Sequence, residues 1–145
     1  MLYVVTGPPA AGKSSWITAH ATQGDIVIDL DRIALALAGP NAKPWDHDEL
    51  LLKVAHRARF AAIDEAVQHR DKTDVYLIHT MPSAKALARY KRLDARVVVV
   101  DPGRDVVMQR VKDMRQPGME QVAARWYAKR RHTGATTGAQ ASRRW

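Results

Sequence analysis

The chain has 145 residues, 46% of them hydrophobic, which suits one domain with a real core. It contains no cysteine, so disulfides, thiolate catalysis and cysteine-based zinc sites are excluded. A formal net charge of +8 favours a polyanionic partner, and no apolar run approaches the length of a membrane span.

The N-terminus leads straight into Leu2-Tyr3-Val4-Val5-Thr6, an apolar, β-branched and aromatic segment that reads as a buried strand. No secretory signal or transit peptide precedes it, so a soluble, cytoplasmic protein is expected. Next comes Gly7-Pro8-Pro9-Ala10-Ala11-Gly12-Lys13-Ser14, which fits the phosphate-binding pattern G-x-x-x-x-G-K-[ST]. Ser15 to Ala21 follows as a helix with Trp16 and Ile17 facing inward. Strand, glycine-rich turn and helix are the context this motif requires.

The chemistry explains the residue types. Gly7 and Gly12 permit backbone angles and close approaches that a Cβ would forbid. Backbone N–H groups of the loop then wrap a phosphate, and the helix N-terminus adds positive partial charge. Lys13 would reach the β- and γ-phosphates, and the Ser14 hydroxyl would be a ligand for Mg²⁺. The expected nucleotide site is therefore Gly7, Pro9, Ala10, Ala11, Gly12, Lys13, Ser14 and Ser15. No guanine-specific N-K-x-D stretch occurs, so ATP is the expected nucleotide.

Ile26 to Asp29 is the second strand, and Arg32 to Ala38 a short helix. Asp31 between them has two readings: a helix N-cap, or a carboxylate that orients an acceptor hydroxyl and takes its proton. Asp29 is expected to point away from Asp31 at the strand end and stays as the weaker candidate, for a water or Mg²⁺ contact. Gly39 to Pro44 breaks the chain and could cover a substrate. Asp46 or Asp48 caps a helix from Glu49 to His69, with Leu51, Ala55, Ala58, Ala62, Ile63 and Val67 inward and His56, Arg57 and Arg59 on other faces.

Val75 to Ile78 is the third strand, ending at His79-Thr80 without the acidic pair common in hydrolytic ATPases. A helix from Pro82-Ser83 to Arg92 places Leu87, Tyr90 and Leu93 inward. Arg96 to Val100 is a fourth strand, β-branched throughout, as expected for a parallel strand buried on both faces. Asp101-Pro102-Gly103 ends it, and a helix runs from Arg104 to Met114. Arg110, Lys112 and Arg115 flank the break at Arg115 to Gly118 and suggest a basic lid over the phosphates, with Arg110 as a further nucleotide contact. A last helix runs from Met119 to Arg131, with Val122, Ala123, Trp126 and Tyr127 on one side. Residues 132–145 read as a flexible basic tail after a domain of residues 1–131.

This alternation implies a three-layer α/β domain, a P-loop fold with a mainly parallel sheet of four or five strands. Ligands then bind beyond the carboxyl ends of the strands, where the P-loop, Asp29, Asp31, His79, Thr80 and Asp101 converge. His79 also reads as an ordinary structural histidine.

On these residues the chain resembles the kinase domain of bacteriophage polynucleotide 5′-kinase and its P-loop phosphotransferase relatives. The similar stretches are Gly7 to Trp16, Ile28-Asp29-Leu30-Asp31, Ile78-His79-Thr80 and the arginines within Gln109 to Gly118. It also resembles small phage-type P-loop ATP-binding proteins of unassigned substrate. The first resemblance implies that Lys13 and Ser14 serve ATP and Mg²⁺, Asp31 is the general base and Arg115 is the lid arginine. Two positions depart from that pattern. Ala34 stands where the family holds an acceptor phosphate with arginine, and His79 where it has aspartate. The expected function is phosphoryl transfer from a nucleoside triphosphate, with the 5′-hydroxyl end of DNA or RNA as acceptor. A kinase for a nucleoside or another small hydroxyl compound, and an ATP-binding or ATPase accessory module in phage DNA processing, are the alternatives.

Overall fold

The computed structural model describes residues 1–44, 46–114 and 116–131, with helical backbone continuing to 133. β1 (Leu2–Thr6), β2 (Ile26–Ile28), β3 (Val75–Ile78) and β4 (Arg96–Val99) pair in parallel, in the order β2-β3-β1-β4. Between and after them run α1 (Lys13–His20), α2 (Leu30–Leu37), α3 (Glu49–Ala66), α4 (Ala84–Arg92), α5 (Arg104–Met114) and α6 (Met119–Thr133).

Strand alternation builds the layers. Along β1, Val5 packs with Trp16 and Ile17 of α1, Val107 and Val111 of α5 and Ala123 of α6. Leu2 and Val4 point the opposite way, onto Ile63 and Ala66 of α3 and Tyr90 of α4. The fold is thus a three-layer α/β sandwich. The connection from β1 to β2 runs away from β4 and uses the α1 face; those from β2 to β3 and from β3 to β4 run back and use the other. A change of face with each change of direction is what a single crossover hand requires. Side-chain caps fix three helix starts: Asp29 accepts from Asp31 N–H, Asp48 from Leu51 N–H and Ser83 from Ala86 N–H.

Several expectations need correction. The second strand stops at Ile28, and α2 begins at Leu30 rather than Arg32, because Asp29 is the N-cap. On α3 the buried stripe is Ala55, Arg59, Ile63 and Ala66, so Arg59 lies inside and not on a solvated face. Leu87 of α4 is 42% exposed; Ala86 and Leu93 flank buried Tyr90 instead. β4 is an edge strand, with Val98 buried and Val97 and Val99 only half-buried. The expected tail lies outside the described residues, apart from the α6 backbone that runs to Thr133.

Candidate active site

The loop between β1 and α1 is held by close backbone packing. Val100 N–H donates to Thr6 O at 2.8 Å, which draws the end of β4 against the loop. Gly7 has φ +150°, and a Cβ there would lie 2.1 Å from the Val100 carbonyl oxygen. Only glycine fits. Further along, Ala10 (φ 59°) and Gly12 (φ 98°) both take left-handed angles, which curl the chain into a ring before α1 starts. For Ala10 this is backbone strain, at a place where strain goes with function.

The same curl leaves α1 with Gly12 as N-cap, no side-chain cap and no acidic residue in its first turn. Its leading N–H groups and positive dipole end therefore have no protein carboxylate to satisfy them, which is the chemistry of an anion site. Ser14 and Ser15 are exposed there. Lys13 is half-buried as a residue, but its ammonium is turned inward and donates to Gly7 O at 2.8 Å and Pro8 O at 2.6 Å. Burial lowers its pKa to about 8, opposed by the negative charges of Asp29 and, more weakly, Asp31. From α5, Arg110 Nη1 donates to Ala10 O at 3.1 Å, so this arginine reaches the loop. Arg115 lies outside the described residues, and Lys112 is exposed.

Both β2-end carboxylates act on Lys13, so the expectation that Asp29 points away from Asp31 is not met. Alternation stops where α2 begins. Asp29 Oδ1 accepts Asp31 N–H at 3.1 Å, and burial raises its carboxyl pKa despite that bond. Asp31 sits in the first turn of α2 with its side chain 71% exposed. One aspartate is committed to capping; the other stands open to solvent. Nε2 of His47, a side chain only 3% exposed, lies 3.6 Å from Asp31 Oδ1.

The ends of β3 and β4 carry structural work. His79 Nδ1 and the Tyr90 hydroxyl are 2.7 Å apart, with the rings edge to face. Burial, then the charges of Arg59 and Lys129, lower the His79 pKa to about 4, which keeps it neutral at neutral pH. Arg59 donates to Ile78 O at 3.1 Å. Asp101 accepts from Gly103 N–H and from the Tyr127 hydroxyl, and Arg130 is 3.5 Å away. Trp126 Nε1–H donates to Thr80 O at 3.0 Å. Since β1 lies between β3 and β4, α6 is anchored on both sides of the P-loop strand.

Two residues near the site escaped the sequence reading. Arg59 was legible in principle, because Ala55, Arg59 and Ile63 share a four-residue spacing. His47 was not: it lies in an aperiodic segment, and only the fold brings it to Asp31. Among the described residues no cluster of three or more His, Cys, Asp or Glu could hold a metal ion. A bound Mg²⁺ would fit here on the Ser14 hydroxyl together with phosphate oxygens, the donor set such an ion takes at nucleotide sites. Among the same residues no helix is long and apolar enough to cross a membrane.

A search of curated proteins gave no match. One family model, described as an AAA domain, matches residues 2–133, which includes every element described above. The glycine-dependent loop, the inward lysine and the parallel three-layer sheet are the features of its fold class, and the chain belongs to this AAA domain family, a P-loop NTPase-like group that includes kinases.

Proposed function

We propose that the protein is an ATP- and Mg²⁺-dependent phosphotransferase whose acceptor is the 5′-hydroxyl end of a polynucleotide. The observation that carries this reading is the exposed Asp31 carboxylate, set at the end of β2 close enough for its charge to act on Lys13. A hydrolytic ATPase needs a group that aims water at the γ-phosphate. Beyond the end of β3 stand His79 and Thr80, and His79 is neutral and turned to Tyr90.

In the proposed step an acceptor hydroxyl attacks the γ-phosphorus in line. The new O–P bond forms as the bond to the β-phosphate oxygen breaks, and the hydroxyl proton passes to Asp31. Lys13, the α1 N-terminus and Arg110 hold the phosphate charge, and Arg115 is assigned to the lid. The Ser14 hydroxyl would hold Mg²⁺, which when bound would supply charge neutralisation to the phosphates.

Ala34 favours a second reading. It is fully buried where an acceptor-phosphate arginine is expected, so a small hydroxyl compound could replace the polynucleotide. Transfer of labelled γ-phosphate to 5′-hydroxyl DNA and RNA, nucleosides, nucleoside monophosphates and water separates the readings. Asp31→Asn should leave nucleotide affinity intact and cut transfer about 10²–10⁴-fold. Label found only in free phosphate would reject the kinase assignment.

A further inference from the structure

We propose that His47 is the positioning partner of Asp31, holding one carboxylate oxygen so that the other faces the acceptor hydroxyl; this rests on the reading of Asp31 as the base. The His47 side chain is 3% exposed, and neither ring nitrogen has a hydrogen-bond partner. Buried polar side chains are nearly always hydrogen-bonded, so such an imidazole calls for an explanation. The polar group it faces is Asp31 Oδ1, 3.6 Å from Nε2. That distance is a few tenths of an ångström beyond a hydrogen bond, a gap that a small side-chain rotation closes.

Both partners stand on fixed backbone. Asp31 is in the first turn of α2, whose start is capped by Asp29. His47 directly precedes Asp48, the N-cap of α3, which accepts Leu51 N–H at 2.7 Å. The two helix starts are therefore pinned independently, and the pair bridges them. In its Nε2–H tautomer His47 donates to Oδ1, which selects one rotamer of an otherwise exposed side chain and leaves Oδ2 for the acceptor. The imidazole acts through Asp31, as an orienting group acts through a catalytic base.

The test uses the full chain with His47→Phe, His47→Gln and Asp31→Asn. Each is assayed for thermal stability, nucleotide affinity and steady-state transfer. His47→Phe should lower kcat about 10- to 100-fold while the nucleotide KM stays within about twofold, and His47→Gln, which keeps a donor, should recover most of the loss. In the Asp31→Asn background His47→Phe should add nothing. Unchanged kcat in a folded His47→Phe protein overturns the proposal, and so does a loss in His47→Gln as large as that in His47→Phe. Nitrogen-edited NMR of the resting protein at one neutral pH gives a readout that needs no activity: Asp31→Asn should shift the His47 ring nitrogens, and unmoved signals overturn the pairing. If the wild type transfers phosphate to no acceptor, the kinase reading falls, and the NMR result alone decides whether the pair exists.

Discussion

Lys13 is the group whose charge state the fold alters and the proposed chemistry uses. Its ammonium is held at a pKa of about 8 against an ordinary 10.5, with burial outweighing Asp29 and Asp31. Between those two values the unfolded chain binds the proton and the folded protein does not. The Lys13 contribution to stability therefore rises with pH across that window. A triphosphate reverses the balance by favouring the ammonium, so nucleotide binding above about pH 8 should take up a proton. Calorimetry in buffers of different ionisation enthalpy reads this directly. Uptake should approach one proton near pH 9, vanish near pH 6 and be absent in Lys13→Met. Equal enthalpies in all buffers near pH 9 would show that the lysine is not desolvated. At this scale the sequence was legible where a motif fixes both type and spacing, as at Gly7, Gly12, Lys13 and Ser14. It was not legible at Asp29 or His47. Their positions depend on where a strand hands over to a helix and on two helix starts meeting, and neither has a local pattern.

At the scale of elements, α6 does more than cover the sheet. Trp126 reaches the Thr80 carbonyl beyond β3, Tyr127 reaches Asp101 beyond β4, and the Arg130 guanidinium sits 5.1 Å over the Trp126 ring. These anchors straddle the phosphate loop, and they differ in strength. Trp126 is 6% exposed, with its ring edge to face against Tyr127. Trp126→Ala should destabilise the protein by about 3–5 kcal/mol. Tyr127→Phe should cost only about 0.5–1.5 kcal/mol, because Asp101 keeps the Gly103 N–H and Arg130. Denaturant unfolding of both variants checks the order; equal losses would mean that α6 is held chiefly through Asp101. Strand and helix identities were readable because β-branched runs mark the strands and Gly, Pro and Asp breaks separate the elements. Which face of α3 turns inward was not. Two stripes, through Ala58 or through Arg59, differ by one position, and the choice goes to Arg59, which finds the Ile78 carbonyl.

For the molecule as a whole, charge separates the two candidate acceptors. The chain carries +8, and a magnesium-bound nucleotide brings about −2, leaving roughly +6 that the donor does not neutralise. Part of it lies on α6, where Arg125, Lys129 and Arg131 are exposed and Lys129 is near enough to act on His79 at the ligand end of the sheet. A single-stranded end that meets three or four phosphate contacts should show a log–log salt slope of about −2 to −3. Its acceptor KM, measured at saturating nucleotide, should then rise roughly 15- to 60-fold for a fourfold increase in salt. Reversing Arg125 and Lys129 to glutamate should weaken binding of all sequences alike and flatten the slope by about 2 or more. A neutral nucleoside releases no counterions, so its KM should hold within about twofold over the same range. A flat profile for every accepted oligonucleotide would detach the basic surface from the acceptor. The small-molecule reading suggested by Ala34 would then take its place, with the P-loop chemistry unchanged.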